Sequence, residues 1–268
     1  MSASLPGFVS NAFQAVGRPV RVAVHEARVL TSLFFQTFGA ILRGRVRGRA
    51  VLLQAYLIGN RSVPFVAITL GVLGLISVFQ VATQLKQILP DYTMLGAAFL
   101  QMMIREFAPT ITGLMVATRV GSGIAAEIGS MVVTEQVDAL RMSNADPVDY
   151  LIVPRTIAAG LMMVFLTIVG IVCATLAGMT VARAGFGVPF STFWNLQLID
   201  GGDLVLGGTK ALAYGLAIPV IAAHAGLSAS GGSAGVGRAT TQAVVATSFA
   251  VIVLDFVISG ISYLVTGR

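Results

Sequence analysis

SVPFVAITLGVLGLISVFQVATQL, residues 62–85, carries no charged side chain over 24 positions, and TIAAGLMMVFLTIVGIVCATLAGMTVA, residues 156–182, carries none over 27. As a helix rising about 1.5 Å per residue, either run crosses a hydrocarbon layer of about 30 Å. A membrane β-barrel needs short alternating strands, and these runs are continuous. The rest of the chain agrees. Of 268 residues, 56% are hydrophobic and 10% charged, where a soluble domain has roughly 25% charged. Mean hydropathy is +0.89. The fold class is all-α and integral to a membrane.

Outward from these two runs, five spans are expected at about 51–83, 93–118, 150–181, 204–225 and 240–265. The first can begin in the interface, because Asn60, Arg61 and Pro64 interrupt it. Residues 5–40 differ in kind. Phe13, Val16, Val20, Val24, Leu30, Leu33, Phe34 and Phe38 recur at roughly helical spacing among Arg18, Arg21, His25 and Arg28. That basic amphipathic pattern fits a helix lying in the membrane interface. A basic cluster, Arg43, Arg45, Arg47 and Arg49, closes it. The expected organisation is an N-terminal unit over residues 1–45 and a five-span domain over 46–268.

The net charge of +6 and pI near 10.1 fit basic loops and anionic lipid better than nucleic acid. Eight of the 17 basic residues lie at or before Arg61; Arg119, Arg141, Arg155 and Arg238 fall in loops on the same side, against Lys86, Arg183 and Arg268 on the other. This asymmetry puts the N-terminus in the cytoplasm and, after an odd number of spans, the C-terminus outside. The single cysteine, Cys173, excludes a disulfide framework within the chain. No signal-peptide pattern starts the sequence, so the N-terminus is expected to be retained.

Charge returns in REFAPTITGLMVATRVGSGIAAEIGSMVVTEQVDALRMSNADPVDYLIVPR, residues 105–155. Within it Ile128, Met131, Val132, Ala139 and Leu140 alternate with Glu127, Glu135, Asp138 and Arg141, a short amphipathic helix too charged to span. Asp146 is a good N-cap and Pro147 suits a first helical turn. Helix, corner and helix at a membrane face read either as a structured loop or as a coupling helix seated in a soluble motor subunit.

Arg105-Glu106-Phe107-Ala108-Pro109, Thr118-Arg119-Val120-Gly121-Ser122, Ala126-Glu127-Ile128-Gly129, Thr134-Glu135-Gln136, Asp138-Ala139-Leu140, Asp146-Pro147 and Pro154-Arg155 follow one another in order, with Arg238-Ala239-Thr240-Thr241 and Leu254-Asp255-Phe256 later. Together they resemble the MlaE (YrbE) family of ATP-binding-cassette (ABC) permeases over roughly residues 40–265. Phe107-Ala108 stands where relatives have Leu-Gly, and Thr118 and Val120 flank Arg119 where Gly and Ala are usual. The resemblance implies a non-catalytic subunit that forms a homodimer, binds two cytoplasmic ATPases and works with a periplasmic MCE-domain protein, expected as a hexamer. It would move phospholipid or related lipid between inner and outer membranes of a bacterium. ATP and magnesium would sit on the partner, and this chain would hold no cofactor. The ATPase-coupling residues it implies are Ile128, Met131, Glu135, Gln136, Asp138, Leu140, Asp146 and Pro147.

Four charges fall inside the spans: Arg105, Glu106, Lys210 and Asp255. Each costs on the order of 2.5–3.5 kcal/mol at a bilayer centre unless paired or solvated. Adjacent helical residues diverge, so Arg105 and Glu106 need partners on other helices; Asp255 is expected to face Lys210 or Arg105. They read as a polar element that shifts between transport states, as a static strut, or as the ion path of a secondary transporter or channel, the alternative function. Val78, Phe79, Val81, Leu85 and Leu89, beside Gln80, Gln84 and Lys86, suggest an apolar wall for lipid.

Gly232-Ser233-Ala234-Gly235-Val236-Gly237-Arg238-Ala239 mimics a phosphate-binding loop, yet Arg replaces its Lys, Ala replaces its hydroxyl residue, and no strand precedes it. Its glycines are expected to form a flexible turn. His25 and His224 are isolated in sequence, so no metal site is expected, and no nucleophile–base set suggests an enzyme.

Overall fold

The computed structural model describes residues 7–44, 46–88 and 92–267, and among them every regular element is helical. Helix α1 (Gly7–Leu42) is followed by α2 (Gly48–Ile88), α3 (Leu95–Val133), the short α4 (Gln136–Met142), α5 (Val148–Phe186), the single turn α6 (Phe190–Phe193), α7 (Gly201–Leu227) and α8 (Gly232–Thr266). Five of these, α2, α3, α5, α7 and α8, are long and apolar enough to cross a membrane. The expected all-α, five-span architecture is present, with α1 as a separate helix before it.

The bundle is held by small residues at helix crossings. Helix α5 is central: Ala158, Ala159, Gly160, Gly170, Ala174 and Gly178 are buried along it, between α2 on one side and α7 on the other. Helix α2 lies so close that a Cβ on Gly74 would stand 2.8 Å from the Cα of Ala174. Small-residue contact of this kind lets helices associate in lipid, where apolar burial alone supplies little drive. Helix α8 packs on α7 and α3 and leaves a long apolar face open, including Phe249, Ile252 and Phe256.

Helix α2 runs unbroken through Asn60, Arg61 and Pro64, because the carbonyl that Pro64 cannot serve lies in the turn where Asn60 is exposed anyway. Helix α3 also outruns its expected end. It continues past Arg119 and Glu127 to Val133, with π-helical turns at Met103–Phe107 and Ala117–Gly121. The glycine stretch after α7 is not a flexible loop. Gly231 and Gly232, at φ +84° and +70°, make the turn, and α8 begins at once.

Candidate functional site

Two polar constructions stand out, one inside the bundle and one at the α4 end. Inside, α7 presents Asp203, Lys210 and Tyr214 at successive steps of seven and four residues, so all three lie on one face. That face meets the π-helical turn of α3 that carries Arg105 and Glu106. Arg105 Nη1 donates to Asp203 Oδ1 at 3.1 Å, and Gln101 Nε2 donates to Asp203 Oδ2 at 3.3 Å. Deeper in, the fully buried Lys210 Nζ lies 2.5 Å from Glu106 Oε2 and 3.0 Å from Asp255 Oδ1. Thr110 and Tyr214 hydroxyls donate to the same Asp255 oxygen at 2.9 and 2.7 Å, and Ser259 donates to Glu106.

Asp255 thus meets Lys210, one of the two partners expected for it. Arg105 pairs with Asp203, which the sequence reading does not anticipate. Asp203 sits three residues after Asp200 at the start of α7, where the two form a capping box, so it reads as a cap and nothing more. The available signal was its spacing of seven residues before Lys210, which puts both on one helical face.

At the other end, α3 stops at Thr134 and the chain turns through Glu135, which holds a left-handed conformation at φ +58°. Helix α4 follows, pinned by the buried Val137 and half-buried Leu140. Its outer side shows Glu135, Gln136, Asp138, Arg141 and Met142, the last 84% exposed. Asn144, at φ +57°, makes the second corner, and Asp146 Oδ1 then accepts from Val148 N at 2.9 Å to cap α5 beside Pro147. Behind the corner the buried Arg155 of α5 reaches Glu127 of α3 at 2.6 Å and donates to its own helix at Leu151 O.

This geometry corrects the helix expected over Ile128–Arg141. Those residues belong to two helices, because Glu135 breaks the path between them. Ile128 is fully buried against Gly226 of α7 and Met131 half-buried, so Ile128 belongs to the core and not to an outer face. Among the lipid-wall residues, Val78 is fully buried against Gly178, which makes it a helix-packing residue; Phe79 is exposed, Val81 and Leu85 are half-buried against the core, and Leu89 lies outside the described residues. His224 is not isolated: its Nε2 lies 2.6 Å from Glu26 Oε2 on α1.

The family description Permease MlaE matches residues 51–261. The chain belongs to the MlaE permease family. Its relatives include a probable ABC transporter permease protein of Synechocystis sp., 37% identical over 246 residues, covering 89% of this chain and 92% of the relative. A probable ABC transporter permease protein of Rickettsia typhi is 33% identical over 254 residues, covering 93% and 96%. The chloroplast protein TRIGALACTOSYLDIACYLGLYCEROL 1 of Arabidopsis thaliana is 33% identical over 221 residues, covering 82% of this chain and 63% of that one. Both polar constructions lie within the matched stretch.

Proposed function

We propose that this MlaE-family chain is the membrane subunit of an ABC transporter that moves phospholipid or related lipid between the inner and outer membranes of a bacterium. The observation that carries the reading is α4. A short helix with a polar, solvent-facing side is set off by two left-handed corners and rooted in α3 and α5. That is the form needed to carry motion from a soluble subunit into two spans. Glu135, Gln136, Asp138 and Met142 face outward, and Arg155–Glu127 ties the spans behind them.

In this reading two cytoplasmic ATPases bind a homodimer of the chain, hold the ATP and magnesium, and push on α4. The chain itself is not an enzyme and holds no cofactor. The open apolar face of α8 is a candidate for contact between the two copies. A periplasmic MCE-domain protein would receive or deliver lipid at the end bearing α6. The basic residues at and before Arg61 favour the α4 end as cytoplasmic. A lipid cargo is supported by the Arabidopsis relative, whose printed name is that of a glycerolipid. In the inner network every carboxylate among Glu106, Asp203 and Asp255 has a cation against it, which favours a strut or switch over an ion path.

The test is a detergent pull-down of the tagged chain from its native membrane with an ATPase assay of the eluate, beside a Glu135→Lys, Asp138→Lys variant. Wild type should bring down an ATPase that the variant loses. A wild-type chain that elutes alone refutes the reading.

A further inference from the structure

A third polar place lies between α2 and α3, and neither the inner network nor α4 uses it. It is a cleft of about 260 Å³ walled by Gln54, Leu57, Ile58, Arg61, Arg119 and Val120, with Glu127 at its α4 end. Arg119 Nη1 donates to the buried Ser62 Oγ at 3.2 Å, which sets the guanidinium against α2. Arg61, just beside it, is exposed. Glu127 is the one carboxylate in the wall, and its Oε1 is 2.6 Å from Arg155. Two guanidiniums line the cleft and its carboxylate is paired with a third, Arg155, outside the wall, so the cleft keeps an excess of positive charge.

Depth decides what such a cleft would hold. The long uncharged run of α2 begins at Ser62, directly after Arg61, and the uncharged stretch of α3 ends at Thr118, directly before Arg119. Both arginines stand where hydrocarbon gives way to headgroups, the level at which long basic side chains are stable and anionic groups are found. Guanidinium forks bind phosphate oxygens in pairs, with better geometry than a point charge gives. On the hydrocarbon side of the two arginines both helices turn apolar at once, from Val63 onward on α2 and back from Ala117 on α3, while Leu57, Ile58 and Val120 line the cleft on its α4 side.

We infer that this cleft binds the phosphate of a phospholipid from the leaflet at the α4 end, with Arg61 and Arg119 holding the phosphate. The inference deepens the lipid-transport reading by giving the cargo a site on the motor side, but binding here requires no ATPase. Failure of the pull-down and failure of this site are thus separate results.

The experiment uses the full chain in detergent micelles doped with phosphatidylglycerol or with diacylglycerol of the same acyl chains, and counts retained lipid by native mass spectrometry. Wild type should retain phosphatidylglycerol over diacylglycerol. Arg61→Gln with Arg119→Gln should reduce that retention by about ten-fold or more, since both charge-assisted contacts go. Arg61→Lys with Arg119→Lys should keep most of it. The single Arg61→Gln variant, changed at an exposed side chain, supplies the reading if the double variant does not fold. Equal retention of the two lipids, or a glutamine variant that binds as wild type does, overturns the inference. Displacement of the lipid by millimolar inorganic phosphate also overturns it, because the site would then be one for a free anion.

Discussion

Arg155 of α5 and Glu127 of α3 meet at 2.6 Å behind the α4 corner, one side chain buried and the other more than half exposed. The pair joins the two spans that α4 connects. Removing Glu127 leaves a buried guanidinium with Leu151 O as its one acceptor among the described residues. Glu127→Ala is expected to cost about 1–2 kcal/mol, the lower part of the range for a charge-assisted bond because Glu127 is wet. Thermal unfolding of the purified chain measures it, and an unchanged midpoint would remove the clamp from the account.

Lys210 is the pivot of the inner network. Lys210→Met would leave Glu106 and Asp255 facing each other without a cation, and is expected to destabilise by about 3–5 kcal/mol, as breaking a buried pair does. Adding Glu106→Gln and Asp255→Asn should return part of the loss. A double-mutant cycle between Lys210 and Asp255 should show coupling above about 0.5 kcal/mol. Additive single effects would mean that the 3.0 Å contact carries no energy.

How much of this was legible in sequence depends on what the signal had to compete with. The spans were legible because uncharged length has one physical reading in a bilayer, and an ion pair between Asp255 and Lys210 or Arg105 because intramembrane charges must find each other; the structure selects Lys210. The true end of α3 was not, since Arg119 and Glu127 read as leaving the membrane while the helix in fact continues to Val133. Nor was the break at Glu135: a glutamate in left-handed backbone has no local sequence mark, unlike Gly231. Ile128 was placed on the wrong helix for the same reason.

That corner gives a separation of functions. A non-glycine residue in left-handed backbone costs roughly 1–2 kcal/mol, partly offset in a glycine variant by unfolded-state entropy. Glu135→Gly is therefore expected to be neutral to about 1 kcal/mol more stable. If the Glu135 carboxylate contacts an ATPase, the same variant should pull down less of it. Loss of stability on this change would contradict the backbone geometry.

The α2–α5 crossing has no room for a side chain at Gly74. Gly74→Val is expected to force the helices apart at a cost of about 1–3 kcal/mol, while Gly208→Val, where a Cβ meets nothing within 4 Å, should be mild. Comparison of their unfolding midpoints in one detergent checks the packing.

The most direct test of the central claim is lipid movement itself. The complex captured from native membrane is reconstituted in vesicles carrying fluorescent phospholipid, with ATP added outside, and transfer to acceptor protein or vesicles is followed. Transfer should require ATP and disappear with Glu135→Lys, Asp138→Lys. Transfer or ion flux through the chain alone, indifferent to ATP and to both substitutions, would contradict it.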